Sequence, residues 1–166
     1  MAIRIRLAKI TDLAAINAIY NEAIADGNAT GDTVPLSQQE HCSRLPFDNS
    51  EQTPVFVAEL DGIVAGYNSL SLYRGGRGAF QYTRETSYYV GRACRRRGVG
   101  NALMNHVLAF SAQHHIGTLL TFVLSCNSAS IALLHRHDFA EWGRFPGIAN
   151  LNNTVCDHLV LGRHIS

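Results

Sequence analysis

Apolar Ile3, Ile5 and Leu7 alternate with Arg4 and Arg6, the period-two pattern of a strand within the first nine residues. Thr11 and Asp12 can then cap a helix whose inward face is Leu13, Ile16, Tyr20 and Ile24. Residues 27–35 form a polar, breaker-rich loop, and Ser37 predicts a second helix running toward Arg44 and ending near Pro46. A polar connector over 48–53 leads to two apolar runs, 55–60 and 63–73, joined by Asp61-Gly62, which suits a type I′ hairpin turn. Arg74-Gly75-Gly76-Arg77-Gly78 interrupts the apolar pattern, which resumes over 80–90. Val99, Ala102, Leu103, His106, Val107 and Phe110 recur at helical spacing and predict a helix over 98–113. A buried strand over 118–124 follows, then a helix capped at Asn127-Ser128 with Ile131 and Leu134 inside. Residues 139–145 and 155–161 predict a closing pair of strands. Repeats and linkers are not evident, so the chain reads as one α/β domain over 1–166 around a mixed, mostly antiparallel twisted sheet flanked by helices.

Composition narrows the class. The formal charge of +1 over 166 residues argues against a general nucleic-acid binder, which would carry a large basic excess. Positive charge is local: Arg92, Arg95, Arg96 and Arg97 lie within six residues, as a small polyanionic ligand would require. Cys42, Cys94, Cys126 and Cys156 are scattered without a C-x-x-C pair, which predicts reduced thiols and a cytoplasmic protein. No run is long and apolar enough for a signal peptide or a membrane span. His135-x-His137 and His114-His115 lack the cysteine or carboxylate spacing of a metal site, so no metal is expected.

The most informative stretch passes from strand into helix through Tyr88, Tyr89, Val90 and then Arg95-Arg96-Arg97-Gly98-Val99-Gly100-Asn101. Glycines let a ligand approach the backbone, and the first turn of a helix offers unpaired N–H groups at the positive end of its dipole. Such a turn favours an anion, and the arginines add bidentate donors. No Gly-Lys-Ser/Thr follows and G-x-G-x-x-G is absent, which excludes a Walker loop and a Rossmann fingerprint. The strand–turn–helix reads as a pyrophosphate cradle.

Arg95 to Gly100 also matches the R/Q-x-x-G-x-G/A signature of the GNAT acetyltransferase superfamily, and the chain resembles its phosphinothricin and methionine-sulfoximine branch. Ile5-Arg6-Leu7-Ala8 through Asp12 and Ile19-Tyr20-Asn21 resemble the branch's opening strand and helix. Thr83 to Val90 resembles T-x-E-x-S-x-Y-V, and Asn127, Ser130, Leu133, His135 and Phe139 resemble a segment of the form N-x-x-S-x-x-L-H-x-x-G-F. The resemblance implies central parallel strands splayed around the pantetheine arm of acetyl-CoA, and a small amine acceptor such as an amino acid, methionine sulfoximine, methionine sulfone or phosphinothricin. It also implies a homodimer and direct attack without an acyl-enzyme.

Site roles follow from that resemblance. Glu85 is the expected base that takes a proton from the acceptor ammonium, and His135 the expected donor to the departing thiolate. Backbone near Tyr89 and Val90 would hold the thioester and pantetheine, with one of Tyr88 and Tyr89 packing inward and the other lining the cleft. Asn127 would meet the pantetheine arm, cap its helix, or do both. Arg74 and Arg77 would contact the acceptor or sit on a solvated hairpin tip, and Thr30 lies in the loop that would wall the acceptor pocket. The chain departs from the branch at Gly31, where an aromatic residue is usual, and at Asp138, where glycine is usual and an altered helix cap is therefore expected. It departs again over 150–157, which reads N-L-N-N-T-V-C-D in place of K-x-G-x-W-x-D. A CoA-binding sensor without turnover is the rival reading.

Overall fold

Strand alternation and helix periodicity meet in a sheet covered on both faces. The computed structural model describes residues 2–45, 47 and 51–165. Its elements are β1 (Ile3–Leu7), α1 (Leu13–Asp26), α2 (Gln38–Arg44), β2 (Val55–Leu60), β3 (Ile63–Leu72), β4 (Thr83–Val90), α3 (Val99–Gln113), β5 (Thr118–Leu124), α4 (Ser128–Arg136), β6 (Ala140–Leu151) and β7 (Thr154–His164). Among the described residues, seven strands form one sheet in the order β1-β2-β3-β4-β5-β7-β6. Every neighbouring pair is antiparallel except β4 and β5. The mixed, mostly antiparallel sheet is therefore as the sequence predicts.

Alternate residues of the inner strands feed cores on the two faces of the sheet. On one face Ile16, Ile19 and Tyr20 of α1 pack with Val55, Val57 and Tyr67. On the other, Met104 and Val107 of α3 and Leu134 of α4 pack with Phe56, Leu70, Leu119 and Leu161. Met104, Val107 and Leu134 are completely buried, and each such side chain stabilises the fold by about 1.5–3 kcal/mol relative to an exposed one.

Local chemistry explains where elements start and stop. Ser37 caps α2 reciprocally with Glu40, whose backbone N–H donates to Ser37 Oγ at 3.2 Å while its carboxylate accepts from Ser37 N–H at 2.8 Å. The helix ends at Arg44; Pro46, where its end was expected, and residues 48–50 of the connector lie outside the described residues. Asp61 and Gly62 both have positive φ, 52° and 83°, which is the type I′ geometry their sequence predicts.

Four expectations need correction. Asp12 takes the N-cap position of α1 but its side chain makes no cap bond there: the carboxylate accepts from Lys9 N–H at 2.8 Å and pairs with Arg6 at 2.7 Å, which holds it below the ordinary range. The run after Gly78 does not resume as a strand at once, because Gly78–Phe80 is a 3₁₀ turn and β4 begins at Thr83. The last two strands are longer than predicted, because Asn152 and Asn153 take positive φ (49° and 72°) and make a two-residue turn that lets the ladder run to Leu151. At Asp138 the cap is the one a glycine would form. Asp138 has φ 59°, with Phe139 N–H donating to the Leu134 carbonyl and Asp138 N–H to the His135 carbonyl, both at 3.1 Å, a complete Schellman pattern.

Candidate active site

The parallel ladder between β4 and β5 is short. Thr83, Arg84 and Glu85 pair with Thr118, Leu119 and Leu120, and beyond Glu85 the ladder ends. Each strand stays paired on its outer side, β4 to β3 as far as Val90 and β5 to β7 as far as Leu124. A cavity of about 510 Å³ occupies the split. Its walls are residues 87–90 of β4, residues 121–123 of β5, the first turn of α3, the start of α4 and the end of α1. Tyr88 and Tyr89 both line it, contrary to the expectation that one would not. The cavity lies where the sheet itself has parted, so neighbours that face opposite ways both reach it. Tyr89 is buttressed by Tyr20 and Tyr67, at ring distances of 4.9 and 5.5 Å. Tyr88 lies with its hydroxyl 2.7 Å from Ser130 Oγ on α4, and burial pushes that phenol up to about 12.

One end of the cavity is the first turn of α3. Gly98 is the N-cap with φ 85°, a left-handed conformation that costs a β-branched residue dearly. The first bond of the helix ladder runs from Ala102 N–H to the Gly98 carbonyl at 2.9 Å, so the N–H groups of Val99, Gly100 and Asn101 stand ahead of it. A Cβ on Gly100 would meet Leu133 at 3.2 Å and Val90 at 3.7 Å, so absence of a side chain there keeps both walls close. Gly98, Val99, Gly100, Asn101, Arg95, Arg96 and Val90 all line the cavity.

The arginines are held unequally. Asp26 at the end of α1 pairs with Arg92 and Arg95, each at 2.6 Å. Burial raises its carboxyl, but the two guanidiniums outweigh that and leave it below the usual range. Arg97 points away from the cavity lining and reaches Asp61 at 3.4 Å. Asn127 does cap α4, accepting from Ser130 N–H at 3.1 Å, and it also lines the cavity.

The remaining expected residues are dispersed. Glu85 stands on β4 at the last paired position before the split, half-buried and outside the cavity lining, its carboxylate without a hydrogen bond or ion pair to any described residue. Burial pushes its carboxyl above the ordinary range. Thr30 is buried and used internally: its hydroxyl lies 2.7 Å from Tyr20 Oη and accepts from Asp32 N–H at 3.2 Å, pinning the α1–α2 loop. Beside it, a Cβ added at Gly31 would meet nothing within 4 Å. Arg74 and Arg77 line a second cavity, of about 620 Å³, with buried Arg84 and with His114 and His115 at the end of α3. The structure therefore does not bring them to the split. His135 is not there either. It lies exposed on α4, and its Nδ1 is 3.0 Å from the Phe139 carbonyl. Leu133 and Leu134 take the inward positions of that helix, and one further residue, about 100° of turn, carries His135 outward.

Sequence reasoning missed several lining residues: Asp26 at the end of α1, and Ser130 and Arg136 on α4, while Asn28 and Ala29 belong to the 27–35 loop that was expected to wall the acceptor pocket. Arg136 had a weak signal, a basic residue in the last turn of a helix that begins at Asn127. Asp26 had none, because only tertiary packing brings that helix end to the split.

Comparison with known proteins agrees with this geometry. Residues 16–139 match the model of the acetyltransferase (GNAT) family. YwnH of Bacillus subtilis (strain 168), which carries a provisional phosphinothricin acetyltransferase name, is 38% identical over 163 residues, covering 98% of this chain and 99% of that protein. The L-methionine sulfoximine/L-methionine sulfone acetyltransferase of Salmonella typhimurium is 31% identical over 147 residues, 87% of this chain and 84% of that one. A phosphinothricin acetyltransferase from Sinorhizobium meliloti, solved in complex with acetyl-CoA, matches with TM-score 0.92 at 26% identity, over 100% of this chain and 90% of that chain.

Proposed function

The chain belongs to the GNAT acetyltransferase family and uses acetyl-CoA, and from that premise we propose that it acetylates the amine of a small amino acid or analogue, with methionine sulfoximine, methionine sulfone and phosphinothricin the first candidates. The observation that carries the reading is the split itself, with unpaired helix N–H groups at one end and a half-buried, unpartnered carboxylate where the ladder stops. Acetyl-CoA supplies the activated acetyl group. The residues present suit it: Gly98 and Gly100 leave the α3 amides open to a pyrophosphate, Arg95 and Arg96 add positive charge, and Asn127 with residues 88–90 borders the pantetheine path.

Glu85 acts on the acceptor. An ammonium must lose a proton before it can attack, and a carboxylate raised by burial is a stronger base than an ordinary one. The proton returned to the departing sulfur comes from the hydroxyl pair Tyr88–Ser130, which lines the cavity, in place of exposed His135. We assign the carboxylate clamp to the β3–β4 loop, whose arginines line the second cavity and would reach the acceptor from there, not from the split. Ser71 pairs with Glu85 and Leu72 with Arg84, so Arg74 and Arg77 follow within a few residues of the base. The pinned Thr30 loop walls the pocket, and open space at Gly31 admits a larger acceptor side chain.

A homodimer and a cytoplasmic setting belong to the same reading. Strand β6 is a sheet edge, and Trp142, Phe145, Ile148 and Val155 of its hairpin are 44–63% exposed, a surface that a second copy would cover. No described helix is long and apolar enough to cross a membrane.

A turnover screen of free amino acids, their sulfoxidised analogues, simple amines and peptides tests the proposal. Release of CoA with free amino acids, lost when the α-carboxylate is removed, is the expected result. Acetyl-CoA binding without turnover on any amine would replace it with the sensor reading.

A further inference from the structure

His137 follows the last turn of α4 as its C-cap and is 7% exposed. Its Nε2 lies 2.9 Å from Oδ1 of Asn101, in the first turn of α3. An amide oxygen can only accept, so the imidazole carries its proton on Nε2. Burial, with Arg163 and Arg136 nearby, lowers the affinity of His137 for a second proton and keeps it neutral. Arg163 fixes the position of the residue by donating to the His137 carbonyl at 2.6 Å. Once Oδ1 is engaged, the Asn101 side chain can turn only its Nδ2 donors outward, and these have no partner among the described residues. Asn101 lines the cavity beside Gly98 and Gly100.

We propose that His137 is a positioning residue that holds the Asn101 amide with its N–H groups toward the cofactor's phosphates, and so ties the α4 wall of the cleft to the phosphate-binding turn of α3. The inference rests on the phosphate lying at that turn. Without the imidazole the amide is free to rotate and can present its carbonyl to an anion, which repels it. The effect is expected at the phosphate end, because the His137 side-chain hydrogen bond goes to Asn101.

Calorimetric titration with CoA, paired with initial rates on acetyl-CoA and on S-acetylpantetheine, tests the claim. His137→Leu is expected to weaken CoA binding about 5–10-fold, the scale of one net hydrogen bond, and to raise KM for acetyl-CoA with kcat unchanged. His137→Gln, which keeps a donor, should recover most of the loss. S-acetylpantetheine, lacking the pyrophosphate, should be indifferent to both changes. In an Asn101→Ala background His137→Leu should cost nothing further. Equal losses with and without Asn101, or a matching loss on S-acetylpantetheine, would overturn the proposal in favour of a general packing role. His137→Asn, polar but too short to reach, replaces the leucine variant if that variant does not fold. Gly98→Val separates the premise from the inference: if it leaves CoA affinity intact the cradle itself is misplaced, whereas if only His137→Leu is silent the positioning role alone is lost.

Discussion

Two arginine–glycine loops lie at opposite ends of β4, alike in composition and unlike in construction. At the C-terminal end, residues 91–98 run from a paired strand into the capped start of α3; Arg92 and Arg95 are tied to Asp26, and Gly98 is held in the one conformation that starts the helix. At the N-terminal end, Arg74 and Arg77 stand exposed on a loop whose neighbours are a 3₁₀ turn and a strand edge, with no ion pair to any described residue. The amides of the first loop are fixed by the helix behind them, which is the construction that a preorganised anion site requires. The second offers charge without a frame. Arginine and glycine alone do not make a phosphate site; the secondary structure on either side of them does.

The contrast is broken most severely at Gly98. Valine there must adopt a positive φ and place a branched side chain where phosphate approaches, so Gly98→Val should lower CoA affinity by about 100-fold or more, a loss of at least about 2.7 kcal/mol. Arg74→Ala should leave CoA affinity unchanged, and calorimetry on the pair displays the difference.

Glu85 sits between the two loops, and Glu85→Gln should lower kcat by about 10²-fold, the usual scale of base assistance, with CoA affinity retained. The deficit should shrink at high pH, where free amine needs no help. Stability should move the other way. Burial raises the Glu85 carboxyl in the folded chain, so stability from this group is present below its unfolded pKa and falls as pH rises through the folded value. At neutral pH the glutamine variant should therefore melt no lower than the parent.

What could be read in advance follows the same division. The strand, turn and helix around Gly98 were legible because they are contiguous, and the place of Glu85 on β4 because it lies on the strand that enters that turn. His135 was misplaced by one helical residue: the inward face of α4 is Leu133 and Leu134, and nothing in the spacing of a nine-residue helix discriminates between neighbours at its margin. Asp26 was invisible and Arg136 only faintly marked, because the fold, not the chain order, carries them to the split. Asn152 and Asn153 could have been recognised as a two-residue turn, which would have extended both final strands.

Smaller effects sharpen the comparison. Arg74→Ala should raise KM for an amino-acid acceptor by about 10-fold, the loss of one charge-assisted contact at an exposed site, while KM for acetyl-CoA stays constant. Asp138→Gly, at a left-handed position whose carboxylate makes only a long 3.7 Å pair with Arg163, should stabilise the fold by at most about 1 kcal/mol, as thermal unfolding would report.

The central claim is that one end of β4 is a built cofactor site and the other is not. Amide hydrogen exchange with and without CoA reads both ends in one experiment. Protection gained over 95–103 and 127–136, with exchange over 73–82 unchanged, is the predicted result. Protection over 73–82 with none in the first turn of α3 would contradict the account.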